Sequence, residues 1–238
     1  MVRAGIHVSI AKSIDKAVDR ALEKGCDIEK IMQDLKERYQ DKTSALMDVS
    51  AGKDPFLTLI SCLLSLRTRD EVTTKASERL FARVKTPEEM LNLKKEEIEA
   101  AIYPVGFYKR KAEQILEICR VLVERYDSRV PDEIEELLKL KGVGRKTANI
   151  VITLGYNKPG VAVDTHVHRI SNRLGLVETK TPNQTEFALR KTLPKQYWIV
   201  FNDLLVMHGK AVCTPASPKC SICPITKYCK KIGVTRFR

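Results

Sequence analysis

No apolar run in this chain approaches the roughly 18 residues that a membrane-crossing helix needs, which excludes a helical membrane protein. The opening MVRAGIHVSIAKSIDKAVDR scatters charges through its apolar positions and so does not read as a secretory signal. With 11 Gly and 10 Pro in 238 residues the chain is neither low-complexity nor collagen-like. Alternating strand patterns joined by hairpin turns are missing outside residues 2–10, and there is no internal repeat. These absences predict a folded, mostly helical protein that stays in the cytoplasm.

Acidic residues are also missing after Asp203, while Lys210, Lys219, Lys227, Lys230, Lys231, Arg236 and Arg238 follow it. The last 35 residues therefore carry +7 of a formal net charge of +12. A phosphate backbone favours such a one-signed concentration through charge neutralisation and counterion release, although a solvated basic tail has the same composition.

Of seven cysteines, Cys26, Cys62 and Cys119 lie in apolar or helical surroundings and read as small buried hydrophobes. Cys213, Cys220, Cys223 and Cys229 fall within 17 residues at the spacing C-x6-C-x2-C-x5-C. Without a secretory signal this is a metal-ligand set rather than a disulfide framework. Four-cysteine zinc sites are common, but zinc ribbons usually pair two short knuckles and only one short pair is present. The wide, unequal gaps suit the corners of a [4Fe–4S] cube better.

Helix starts are written clearly. Asp54-Pro55, Thr86-Pro87 and Thr181-Pro182 each place a capping oxygen before a proline at the first helical position. Apolar spacing predicts helices over 55–66, 110–126 and 182–193, and one over 196–208 closed by Gly209. In PDEIEELLKLKGVGRKTANIVITLG, residues 131–155, a helix over 131–139 is followed by Leu140-Lys141-Gly142-Val143-Gly144 and a second helix from Arg145 to Gly155. Two glycines permit a tight hairpin whose amides can approach an anion, and the second helix adds its positive N-terminus. Such a turn contacts backbone phosphate rather than base edges. G-x-G before a helix is, by itself, often only a helix–helix turn.

Lys146 lies opposite the stripe Ala148, Val151, Ile152 and Gly155, so it projects from the hairpin either as a nucleophilic amine or as a phosphate contact. Asp164 follows Val161-Ala162-Val163 and precedes a helix, which makes it either an N-cap or an acid that steadies positive charge. His166 and His168 lie about 200° apart on that helix and cannot share a metal ion. Together with the basic tail, Lys109-Arg110-Lys111 and the hairpin form a candidate phosphate-binding surface.

Gly142-Val143-Gly144-Arg145-Lys146-Thr147-Ala148-Asn149, then Val163-Asp164-Thr165-His166, then the cysteine quartet, resemble endonuclease III of the helix-hairpin-helix DNA glycosylases, over about residues 30–230. The resemblance implies a mostly α, two-lobed helix-hairpin-helix DNA glycosylase fold. A six-helix lobe at 49–156 would be inserted into an iron–sulfur cluster lobe built from 28–48 and 157–238, with Lys146 and Asp164 on opposite walls of the cleft. It implies catalysis by Lys146 and Asp164 and a [4Fe–4S] cluster on Cys213, Cys220, Cys223 and Cys229. DNA contacts are implied for Arg67, Gly142, Val143, Gly144, Arg145, Thr165, His166 and Lys219. The implied activity is a monomeric glycosylase and AP lyase acting on oxidised pyrimidines in damaged double-stranded DNA, at the nucleoid.

Two departures from the family stand out. Leu64-Ser65-Leu66-Arg67-Thr68-Arg69-Asp70 places Arg67 where the bacterial enzymes carry a Gln that fills the gap left by a flipped base. Residues 3–27 look instead like the first strand and helix of endonuclease IV, without that family's metal ligands; residues 1–27 then read as an appendage. The alternatives are a mismatch or broader-range glycosylase, and a non-catalytic helix-hairpin-helix DNA-binding protein with structural zinc.

Overall fold

The computed structural model describes residues 27–40 and 54–238. The strand reading at residues 2–10 and all but the last residue of the appendage lie outside them. The described residues contain no strand, and none of their helices is long and apolar enough to cross a membrane. The chain divides into two compact units, residues 43–162 and residues 1–42 with 163–238.

The unit of residues 43–162 contains α2 (Pro55–Ser65), α3 (Asp70–Phe81), α4 (Pro87–Leu91), α5 (Lys95–Ile102), α6 (Tyr108–Arg125), α7 (Ile134–Leu137) and α8 (Arg145–Ile150). Helix α8 runs on into a π turn at Val151–Gly155. Helix α2, PFLTLISCLLS, is apolar nearly all round and is accordingly the buried helix of this unit. Its start is fixed by Asp54, whose Oδ1 accepts the Leu57 amide at 2.9 Å. Leu59, Ile60 and Leu63 of α2 meet Leu80 of α3, Ile102 of α5, Ile115 and Leu122 of α6, and Val151 in one core. Residues 157–162 belong with this unit. Val161 N–H donates to Asn149 Oδ1, and Ala162 packs with Cys62 and Ile150.

The other unit contains α1 (Ile28–Tyr39), α9 (Thr165–Leu174), α10 (Pro182–Thr192) and α11 (Trp198–Ala211), then a C-terminal loop with short 3₁₀ turns at Cys220–Ile222 and Thr226–Tyr228. α11 packs on both α1 and α9. Ile31, Met32 and Leu35 of α1, Val167 and Ile170 of α9, and Phe201 and Leu205 of α11 are fully buried or nearly so.

Three sequence expectations need correction. The helix expected over 131–139 shrinks to Ile134–Leu137, because the backbone is still extended at Glu133 and is already turning at Lys139, whose amide bonds Glu136 O at 3.0 Å. Gly209 does not close α11 but lies inside it, where a Cβ would run into the His166 ring of α9. Lys111 is not part of a basic surface: it is 6% exposed, with its ammonium turned inward.

Candidate functional site

The hairpin between α7 and α8 hangs from the core by Leu137, Leu140 and Val143, all buried. Val143 N–H closes the turn on Leu140 O at 3.1 Å. Gly142 sits at φ +75°, in the left-handed region, and a Cβ there would run into the Gln114 side chain. Gln114 in turn donates from Nε2 to Lys141 O at 2.8 Å, so α6 props the hairpin from behind. Gly144 is the N-cap of α8 and supplies no side-chain acceptor to its first amides, while space around it is open. Exposed glycines and backbone amides without a cap form a surface that an anion can approach.

Arg145 and Lys146 stand on the first turn of α8, both half-buried. Arg145 reaches Glu135 at 3.5 Å. Among the described residues no carboxylate pairs with Lys146. Behind it lies Cys62, whose thiol is pushed up to about 12 by burial, with the Lys146 charge acting weakly the other way. Asn149, one turn on, is fully buried and donates from Nδ2 to Arg145 O at 3.0 Å. Arg67 is exposed at φ +54°, with its guanidinium 5.0 Å from the centre of the Phe107 ring.

Asp164 caps α9. Its Oδ1 accepts both the His166 amide at 2.8 Å and the Val167 amide at 2.9 Å. Among the described residues no donor is bonded to Oδ2, and the residue is half-exposed. The cap role is thus real and occupies one carboxylate oxygen. Thr165 is exposed, and His166 Nδ1 accepts from Arg169 at 3.1 Å. His168 turns elsewhere, 2.7 Å from Thr185 Oγ1, so the two imidazoles serve different partners.

Cys213, Cys220, Cys223 and Cys229 are free thiols that line one pocket with Ile170, Val212, Ile225 and Val234, and Lys219 stands at the same pocket. Arg173 donates to Cys213 Sγ at 3.3 Å, and the Lys231 amide to Cys229 Sγ at 3.4 Å. Burial pushes the Cys223 thiol up to about 11, and the other three cysteines add to the rise. Cys223 therefore ionises here only when a positive centre holds it. Among the described residues no three His, Cys, Asp or Glu side chains converge on a single-ion site.

Sequence reasoning missed several supports of these groups. Gln114 is a positioning residue outside every motif, and Asn149, though it closes the hairpin motif, gives no sign there of the two bonds it makes. His208 is 1% exposed, with Nδ1 3.1 Å from the Tyr39 hydroxyl and Nε2 3.5 Å from Cys223 Sγ. Burial pushes its pKa down to about 4. A histidine inside an apolar helix, 15 residues before Cys223, gives no sequence signal for that pairing.

Comparison with known proteins follows the same features. The family model of HhH-GPD superfamily base excision DNA repair proteins matches residues 60–195, which include the hairpin, Lys146 and Asp164. The chain is 54% identical over 177 residues to Endonuclease III of Thermotoga maritima, covering 74% of this chain and 83% of that one. Among solved structures it resembles a non-covalent Endonuclease III–DNA complex, at a TM-score of 0.76 and 34% identity over 86% of this chain and 94% of that chain. A trapped Endonuclease III–DNA covalent intermediate gives a TM-score of 0.69 at 37% identity, over 75% and 84%. The chain belongs to the endonuclease III family of the HhH-GPD superfamily. It is a base excision repair DNA glycosylase with AP lyase activity.

Proposed function

We propose that this enzyme removes oxidised pyrimidines from duplex DNA, with Lys146 as nucleophile and Asp164 as its carboxylate partner in the chemistry. The observation that carries this reading is the position of Lys146 on the first turn of α8, directly behind an uncapped, glycine-built hairpin and without a carboxylate partner among the described residues.

The damaged nucleotide leaves the stack so that its sugar meets the amine. Lys146 Nζ bonds to C1′ of the sugar, and the base departs with the electrons of the glycosidic bond. The amine gives up its proton, the ring opens, and a Schiff base joins Lys146 to the sugar. Loss of a proton from C2′ then expels the 3′ phosphate, and the strand is cut by β-elimination. Asp164, with Oδ2 unclaimed by the cap, stabilises the positive charge that grows on the sugar as the base leaves. Arg67, with Phe107 beneath it, fills the gap left in the duplex. The hairpin amides, Arg145, Thr165, His166 and Lys219 hold the phosphates.

Cys213, Cys220, Cys223 and Cys229 fit a [4Fe–4S] cluster, since they share one pocket and N–H donors are aimed at the sulfurs of Cys213 and Cys229. Such a cluster supplies cross-linking that fastens the C-terminal loop, with Lys219 on it, and contributes folding free energy there. The chain acts as a monomer on double-stranded DNA in this reading.

The test is borohydride trapping. Reductant added during turnover converts the Schiff base to a stable amine, leaving protein covalently joined to damaged DNA. Lys146→Gln should abolish trapping and nicking while duplex affinity stays within a few-fold, because one charge is a small part of the total. A folded Lys146→Gln protein that still traps at the parent's rate overturns the assignment.

A further inference from the structure

Lys111 of α6 is a buried cation whose partners are all uncharged. Its ammonium donates to Leu64 O at 2.8 Å, Leu66 O at 2.6 Å and Thr68 Oγ1 at 3.2 Å. The two carbonyls belong to the end of α2 and the turn after it, where helix-end acceptors lack intrahelical partners. Thr68 Oγ1 also accepts the Gly106 amide at 3.2 Å, and a Cβ on Gly106 would lie 2.6 Å from Arg67 O. The 64–68 turn and the 103–107 loop are therefore locked to one another through Lys111 and Thr68. At the apex of this construction stand two residues in left-handed backbone conformations, Arg67 at φ +54° and Phe107 at φ +60°, stacked on each other. Neither is a glycine, so the surroundings must hold both conformations.

We propose that Lys111 is the positioning residue for Arg67: by gathering three oxygens of the 64–68 turn around one ammonium it fixes the backbone from which Arg67 enters the gap in the DNA. The inference rests on the gap-filling reading of Arg67 given above. Lys111 itself touches neither DNA nor the reacting sugar. Burial lowers its pKa to about 8, a cost that a structural methylene chain would not carry and that its three acceptors make useful.

The experiment is a double-mutant cycle on the full chain, read as single-turnover base release from a duplex carrying thymine glycol opposite adenine. Circular dichroism and affinity for undamaged duplex are followed in parallel. Lys111→Met keeps the length of the side chain and removes its donors. Lys111→Met and Arg67→Ala should each slow base release by about tenfold, and the double variant should be no slower than Arg67→Ala alone, because both changes remove one function. Affinity for undamaged duplex should stay within about twofold. Losses that multiply to about a hundredfold in the double variant, or Lys111→Met at the parent's rate, overturn the inference. Arg67→Ala at the parent's rate overturns the gap-filling reading beneath it, which is a different result from either. If Lys111→Met does not fold, Thr68→Val takes its place in the cycle, since it removes the hydroxyl shared by Lys111 and Gly106, and the same two outcomes decide.

Discussion

Asn149 holds Val161. Its Oδ1 accepts the Val161 amide at 3.0 Å while its Nδ2 donates to Arg145 O, so one buried amide joins the first turn of α8 to the segment that leads into Asp164. Asn149→Leu, similar in volume, should leave the buried Val161 N–H without its side-chain acceptor. Chemical denaturation should show a loss of about 2–3 kcal/mol. A loss below half a kcal/mol would mean that water takes over the bond to Val161.

Asp164 separates cap from chemistry. Asp164→Asn retains an Oδ1 acceptor for the His166 and Val167 amides, so its stability should stay within about 0.5 kcal/mol of the parent while base release slows by orders of magnitude. Asp164→Ala should show the same catalytic loss and, in addition, lose about 1 kcal/mol of stability with the cap. Full activity of folded Asp164→Asn would reduce the residue to a helix cap.

Lys219 is half-buried at the cysteine pocket, its amide tied to Val212 O at 2.9 Å, and the flanking loop is basic and free of acidic residues. Lys219→Ala should weaken binding to every duplex alike and reduce the slope of log affinity against log salt by about one. Filter binding across a salt series measures it, and an unchanged slope removes Lys219 from the interface.

The described cysteines should fall into two chemical classes. Cys62 and Cys119 are buried, with thiols pushed up to about 12, so they should resist alkylation until the protein unfolds. Cys213, Cys220, Cys223 and Cys229 should resist only while their metal is bound, and become reactive after chelation. Mass spectrometry of alkylated peptides reads both, and iron analysis of Cys220→Ala should show the metal lost. One zinc and no iron in the parent would overturn the cluster.

Local signals were legible and tertiary ones were not. Asp54, Thr86 and Thr181 each cap the helix whose start they announce, with amide contacts at 2.9, 3.2 and 3.3 Å. Cap and proline are neighbours in the chain, so the physics is local. The hairpin residues were legible for the same reason. Gly209 was misread because its requirement comes from His166, 43 residues away in sequence but in contact in space. Lys111 was misread because charge counting assigns every lysine to the surface. Only the folded chain shows three oxygens waiting for it. The partners of Gln114 and Asn149, which hold the hairpin and α8, are not readable in the sequence because an amide's role depends on the backbone atoms it meets.

The π turn at Val151–Gly155 bears on which lengths of chain this fold accepts. A π turn accommodates one residue more than an α-helical turn, and every side chain beyond it is rotated by roughly 100° from where an unbroken α-helix would put it. The Thr153 hydroxyl bonds back to Asn149 O within this turn, and Gly155 at its end sits against Pro55, where an added Cβ would lie 2.9 Å from the Pro55 Cα. The start of α2 thus rests on a glycine that arrives by virtue of a single extra residue. Deleting one residue from 151–155 would restore a regular helix and present a different side chain to Pro55. This stretch therefore tolerates exchanges of side chain far more readily than changes in the number of residues.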